Sequence, residues 1–360
     1  MQDKIKNKIV TIGFVLILFA VFFSNLIIED KTISTSERRK LAQFPKITIS
    51  KIFNGDVIDK WEKYAEDQFV QRDLFRGIKA FWSMKIFVQK DNNNLFQKDN
   101  AIYKMEYPLK EKSVQKSAQK IKEVYEKYLQ NMNVYYSIIP EKNYYLENDD
   151  HLKLDYDKVQ EIVGSELSEL KYIDIRKGLK LEDYYRTDLH WKQENLKEVV
   201  KILQTNMNLD ITDINYEVID KGTFYGAYYG QLSTNISPDN LYVLKNEIID
   251  NCVTYNFETQ KSATIYTETN SADKYDIFVS GATPLISIEN PNSKNNKELL
   301  LFRDSFGSSI APLLIQNYSK ITLVDLRYIS SKMLGEFIKF NDQDVLFLYS
   351  TVVLNQNILK

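Results

Sequence analysis

Cysteine and histidine are almost absent from this 360-residue sequence, which has one of the former and two of the latter. The single Cys252 excludes an intramolecular disulfide, and neither it nor the histidines fall into a spacing that would hold a metal ion. No metal and no tightly bound cofactor are expected. An excess of charge is missing too: 47 basic against 49 acidic side chains leave a formal net charge of −2, with pI ≈ 5.9. A chain with no overall basic field is not built to hold nucleic acid.

The features that are present begin at the N-terminus. Lys4, Lys6 and Lys8 precede an uncharged run from Ile9 to Ile28. At ~1.5 Å per residue such a run spans roughly the 30 Å hydrocarbon core of a bilayer. The lysines predict a cytoplasmic tail over residues 1–8, a single-pass anchor in the membrane lipid over 9–28, and an extracytoplasmic remainder. A cleaved signal peptide shares the basic start, but the run is long for one and no small-x-small site succeeds it in Ser24-Asn-Leu-Ile-Ile-Glu-Asp30. With 44% hydrophobic residues, the chain beyond the anchor suffices for one large domain, with or without an insertion.

Residues 29–100 read as a helical approach segment. Ser36 and Glu37 suit a cap, Pro45 breaks the pattern, and Val57, Trp61, Tyr64 and Ala65 recur at helical spacing toward Phe69. Arg72 and Arg76 lead into a second helix through Ile78, Phe81, Trp82 and Ile86. The segment suits either a surface that docks a membrane partner or a stalk packed on the main domain. Asp91-Asn-Asn-Asn94 reads as a turn.

From 101 to 360 helices and strands alternate. Ile121 to Leu129 is an amphipathic helix, Val134 to Ile139 a strand closed by Pro140, Val159 to Leu170 a helix and Tyr172 to Ile175 a strand. The alternation resumes with strands Leu299–Phe302, Ile321–Leu326 and Val345–Tyr349, and with helices Ile310–Ile315 and Met333–Phe340. This is the pattern of an α/β fold, a parallel sheet covered by helices. Between the halves, about 210–297 reads as a β-rich insertion, with strands Leu241–Leu244, Ile248–Tyr255, Ala263–Thr267 and Asp276–Ser280. Its segment from Gly222 to Gly230 carries Tyr225, Tyr228 and Tyr229, which suit either stacking on sugar rings or packing of a hairpin base.

Chemistry points to Leu299-Leu-Leu-Phe-Arg-Asp-Ser-Phe-Gly-Ser308, a strand, a tight turn and a helix with Ser305 at the bend. A hydroxyl there sits beside the first free N–H groups of a helix, which can stabilise an oxyanion. Pro312 is expected in the first turn, where a missing N–H is harmless. Asp304 and Ser305 also suit an ordinary helix cap, so a base is required. His151 lies in a polar connection. His190 follows Asp188 by two residues, so both can leave one turn in the same direction, with the carboxylate orienting the ring. The same residues also suit a helix cap at Asp188 with His190 and Trp191 packed at its base.

Asp188-Leu-His-Trp191 resembles the signature of the DHHW protein family, relatives of the alginate O-acetylation proteins with an SGNH hydrolase-like fold. Asp304-Ser-Phe306 resembles the later nucleophile motif of that group. Three further elements resemble the family in the same order: Glu37-Arg-Arg-Lys-Leu-Ala-Gln-Phe-Pro45, Asp67-Gln-Phe-Val-Gln-Arg72, and the strand from Val134 ending in a Pro-x-Lys turn. Two positions depart from the pattern. Leu189 replaces a histidine, and Arg303 stands where many SGNH enzymes have glycine, so its long side chain could alter access to Ser305. The base precedes the nucleophile by 115 residues (305 − 190), an order shared with the alginate-acetylation relatives.

The resemblance implies a Ser305–His190–Asp188 triad that transfers acetyl groups to a cell-surface or secreted polysaccharide. It also implies a multi-spanning membrane acyltransferase that donates the acetyl group. A carbohydrate esterase and a catalytically silent glycan-binding protein use the same features differently. In an open α/β sheet ligands bind at the C-terminal strand ends. Lys142, Asn143, Tyr349 and Ser350 are placed there as accessory donors or substrate contacts, beside Arg303, with the Ser305 N–H as the preferred oxyanion donor.

Overall fold

The computed structural model describes residues 2–34, 36–37, 39–45, 56–147, 150–211, 214–268, 271 and 273–360. Arg38, part of one of the family-like elements, lies outside the described residues, as does Met1 of the tail. The chain divides into two units, residues 1–89 with 230–235, and residues 90–229 with 236–360.

In the first unit a helix runs from Gln2 to Ile27, and its stretch Lys4–Ile27 is long and apolar enough to cross a membrane. Strands β1 (Ile33–Ser34) and β2 (Arg39–Lys40) pair antiparallel. Helices Asp56–Gln68 and Arg72–Phe81 come next, the second continued by a π-helical turn, Trp82–Ile86. Charge organises this unit. Arg39 forks onto Asp67 at 2.8 and 2.5 Å, and Arg72 and Arg76 reach Glu37 at 2.6 and 3.2 Å. The hydrogen bond from Arg39 holds the Asp67 carboxyl down at about 2. The two family-like elements around Glu37 and Asp67 thus meet in one ion-pair network.

The second unit opens with a hairpin of β3 (Leu95–Lys98) and β4 (Ala101–Lys104). The later strands are β5 (Val134–Ile139), β6 (Lys171–Tyr172), β7 (Glu217–Phe224), β8 (Asp239–Lys245), β9 (Val253–Asn256), β10 (Lys261–Thr264), β11 (Leu285–Glu289), β12 (Glu298–Arg303), β13 (Lys320–Val324) and β14 (Asp344–Ser350). Eight of them form one sheet in the order β10-β9-β11-β13-β12-β14-β5-β6. From β13 to β6 every pair is parallel, and β11, β9 and β10 extend that edge antiparallel. β7 and β8 make a separate hairpin.

β12 is an apolar run because both of its faces are covered. Leu299 and Leu301 pack with Val199, Leu203 and Ile310, from helices Lys197–Asn206 and Ser305–Leu314. Leu300 and Phe302 face the other way, toward Val114, Ala118 and Ile121 of helix Glu111–Val124 and Val159 and Val163 of helix Tyr156–Glu166. With β13 on one side and β14 on the other, β12 delivers Ser305 from inside the parallel region.

Several local expectations change. The strands of the 210–297 region are not a body apart: β9, β10 and β11 join the main sheet, and only β7 and β8 pair by themselves. Ile248–Tyr255 splits into a helical turn, Glu247–Asn251, and β9, because Asn246 accepts the Ile249 N–H and caps the turn. Asp276–Ser280 is not a strand, since a 3₁₀ turn, Lys274–Ile277, is capped by Asp273. Met333–Phe340 shortens to a helix over Leu334–Phe337, and Tyr172–Ile175 contributes only Tyr172 to β6. Pro312 sits well inside helix Ser305–Leu314, because that helix begins at the nucleophile rather than beyond it.

Candidate active site

The turn that carries Asp188 and His190 is a short antiparallel loop. Tyr184 and Trp191 form its closing bridge, and the Tyr185 N–H donates to the His190 carbonyl at 3.0 Å. Asp188 is fully buried and nearly saturated. Its Oδ1 accepts the His190 backbone N–H at 3.0 Å and faces Nδ1 of the ring at 2.5 Å, while Oδ2 accepts the Ala227 N–H at 2.7 Å. One carboxylate therefore fixes the backbone and the ring of His190 together, which is what a two-residue spacing permits.

Across the site, Nε2 of His190 lies 2.7 Å from Ser305 Oγ. Ser305 comes after β12 as the first residue of its helix. The turn is locked by Asp304, whose Oδ1 accepts the Phe306 N–H at 3.0 Å and whose Oδ2 accepts the Ser350 N–H from the end of β14 at 2.8 Å. Gly307 is required here, since a Cβ would lie 2.4 Å from Arg303 Cβ. Trp191, also buried, donates from Nε1 to Ser309 Oγ at 2.8 Å and so ties the histidine loop to the helix that carries the serine. Hydroxyl, imidazole and carboxylate are thus in hydrogen-bond contact in series, an arrangement that can move a proton off Ser305 while the ring keeps its orientation. His151 is elsewhere, its Nε2 2.9 Å from the Lys90 carbonyl and its ring stacked on Phe96.

The loop's shape is imposed from three sides. Asp239 accepts the backbone N–H groups of Arg186 and Thr187 and the Thr187 hydroxyl, at 3.0, 2.8 and 2.6 Å. Gly226 passes so close that a Cβ would lie 2.3 Å from Asp188 Cβ. Lys142 supplies the third support. Its Nζ donates to the carbonyls of Tyr185, Arg186 and Asp188 at 2.7, 3.1 and 2.8 Å, and burial lowers its pKa to about 8.

Of the accessory residues, Lys142 is therefore not an oxyanion donor, because its protons go to loop carbonyls. Asn143 is committed to the Lys104 carbonyl and to the Tyr156 hydroxyl. Ser350 contributes its backbone N–H to Asp304 rather than its side chain to a ligand. Arg303 turns into the interior, with no exposed surface, toward Asp325 at 3.5 Å and the Gly281 carbonyl at 3.3 Å. Its side chain therefore presents no surface at the approach to Ser305. Tyr349 is buried as well. Tyr228 is buried with its ring 5.2 Å from the Lys142 ammonium, so it cannot meet a sugar. Tyr225 and Tyr229 stack on each other at 4.0 Å, and Tyr225 remains 42% exposed.

One contact has no signal in the sequence. The Tyr275 ring lies flat on the His190 imidazole, with centroids 3.8 Å apart and planes 8° from parallel, and its hydroxyl donates to Ser309 Oγ at 2.8 Å. Nothing distinguishes Tyr275 among 24 tyrosines. Among the described residues no three His, Cys, Asp or Glu side chains converge as a metal would require.

Comparison with known proteins finds similarity in fold. No protein of curated function matches the chain. A DHHW family protein from Eubacterium siraeum is similar in structure, with a TM-score of 0.62 and 19% identity over 74% of this chain and 95% of that one. Bacillus cereus PatB1, solved with a sulfonyl adduct, is similar with a TM-score of 0.59 and 20% identity over 75% of this chain and 100% of that one. The O-acetyltransferase domain of Pseudomonas putida AlgJ lies further off, with a TM-score of 0.44 and 11% identity over 73% and 92%. The model of the DHHW protein family matches residues 154–324, the segment that carries Asp188, His190 and Ser305.

Proposed function

We propose that the protein is a single-pass, membrane-anchored O-acetyltransferase whose catalytic unit works outside the membrane on a polysaccharide acceptor. The observation that carries this reading is the continuous contact from Asp188 through His190 to Ser305, at 2.5 and 2.7 Å. As His190 Nε2 takes the hydroxyl proton, Ser305 Oγ attacks the carbonyl carbon of the acetyl donor. The oxyanion forms at the helix start, where the Ser305 N–H is the proposed donor. Collapse expels the donor's leaving group with the proton from His190, leaving acetyl-Ser305. A sugar hydroxyl then attacks the ester, His190 takes its proton, and collapse returns that proton to Ser305 Oγ.

Transfer rather than hydrolysis rests on the DHHW resemblance, whose relatives act in alginate O-acetylation. A sugar hydroxyl must be held against the acyl-enzyme to outcompete water, and the exposed Tyr225, stacked on the half-buried Tyr229 of the segment that caps Asp188, suits that task. The anchor would place the unit beside a multi-spanning acyltransferase that supplies acetyl. Arg303, buried away from the nucleophile, gives no support to a silent binding protein.

The reading is tested on cells carrying Ser305→Ala. Surface glycan should persist in amount and lose its acetyl groups. A rise in acetylation would make the protein an esterase, and no change would remove the enzyme altogether. A sulfonyl fluoride, suggested by the adduct in the Bacillus cereus structure, should label wild-type protein at Ser305 and leave Ser305→Ala unmodified.

A further inference from the structure

The helix Arg72–Phe81 and its continuation Trp82–Ile86 are amphipathic in the opposite sense to a water-soluble helix. The two arginines are turned inward. Arg72 and Arg76 are half-buried against Glu37, Arg76 also donates to the Gly230 carbonyl at 2.7 Å, and Ala80 is buried beside them. The apolar side is turned out: Leu74, Phe75, Ile78, Phe81, Trp82 and Ile86 are all exposed, from 43% at Ile78 to 57% at Leu74. An apolar surface this continuous calls for an apolar environment.

The structure also indicates which environment. Asn25, in the last turn of the apolar helix Gln2–Ile27, accepts the Val70 N–H at 2.9 Å. Gln68, two residues before Val70 in the chain, exchanges hydrogen bonds with the Lys31 backbone at 2.9 Å. The second helix is thus fastened to the exit of the first, and its outward face begins within two turns of that point. A helix fastened where a transmembrane span leaves the bilayer lies at headgroup depth. Trp82 and the exposed Lys79 and Lys85 are the residue types that such a layer holds.

We propose that residues 72–86 form an interfacial helix, with this apolar face sunk into the outer leaflet of the same membrane that holds the anchor. The inference rests on the anchor reading above. It makes the first unit a two-point attachment, one segment crossing the bilayer and one lying on it.

The test uses the full chain in vesicles whose phospholipids are brominated near the headgroup, where bromine quenches nearby tryptophan. Of the three tryptophans, Trp191 is fully buried, and Trp61 and Trp82 are exposed. The Trp82 signal is read as the difference between wild type and Trp82→Phe, and bromination should reduce it by about two-fold or more if the residue is interfacial. Retention in the vesicles through an alkaline wash, without quenching of Trp82, would overturn this proposal alone and leave a protein partner as the occupant of the face. Release of the chain by the wash would overturn the anchor reading, and this one with it.

Discussion

Buried titratable groups hold shape here, and burial shifts two of them in opposite directions. Lys142 binds three loop carbonyls as a cation, and burial lowers its pKa to about 8. Glu106 is a buried carboxyl whose Oε2 accepts the Thr351 hydroxyl at 2.7 Å, and burial raises its pKa from 4.5 to about 7. Between 4.5 and about 7 the folded protein holds a proton on Glu106 that the unfolded chain has lost. Its contribution is therefore fully present below about 4.5 and is lost as pH rises through about 7. Glu106→Gln is neutral throughout and should lack that loss. From pH 5 to pH 8 the stability of wild type, read by urea denaturation, should fall relative to Glu106→Gln by on the order of 3 kcal/mol. Parallel pH profiles for the two proteins would exclude a protonated Glu106. In sequence Lys142 stood out only as the end of a Pro-x-Lys turn at a strand terminus. That position suits a substrate donor as well as a structural tie, and which it is depends on where residues 185–188 lie.

At the scale of elements, the turn between β12 and helix Ser305–Leu314 shows how little freedom the nucleophile has. Asp304 takes N–H groups from two directions, Phe306 at 3.0 Å and Ser350 at 2.8 Å, and Gly307 lets the helix close on Arg303. Asp304→Asn keeps the shape but can turn an amide NH₂ toward one of those N–H donors, leaving a buried donor unpaired. The expected result is a folded protein in which sulfonylation of Ser305 slows by about ten-fold or more, because small misplacements of reacting groups are costly. An unchanged rate would show that the helix alone positions the hydroxyl. This turn was legible from Leu299 to Ser308, where an apolar run ends at Asp-Ser-x-Gly. Elements with mixed signals were not. β11 escaped notice because Ile286 and Ile288 alternate with Ser287 over only five residues, and Ile248 to Asn251 looked extended until Asn246 capped it as a helical turn.

For the whole molecule, the sequence conveyed the α/β class, the parallel centre, the apolar N-terminal helix and the residues of the candidate triad, because each rests on a local pattern. It did not convey that β9 and β10 would lengthen the main sheet, since edge pairing is settled by the neighbours available in three dimensions. One arrangement also bears on how the protein matures. β12 sits between two strands that both come later in the chain, and the turn at Ser305 is closed by a backbone N–H at residue 350. If the chain emerges across the membrane in order from the anchor onward, residues 188, 190 and 305 are all outside before their framework exists. Reactivity would then switch on late, when the segment through 350 has emerged, and export itself would time activation. A chain stopped after residue 343 should emerge with Ser305 present yet refuse a sulfonyl fluoride that labels the full protein. Labelling of that truncated chain would mean that the serine is primed before its sheet is complete.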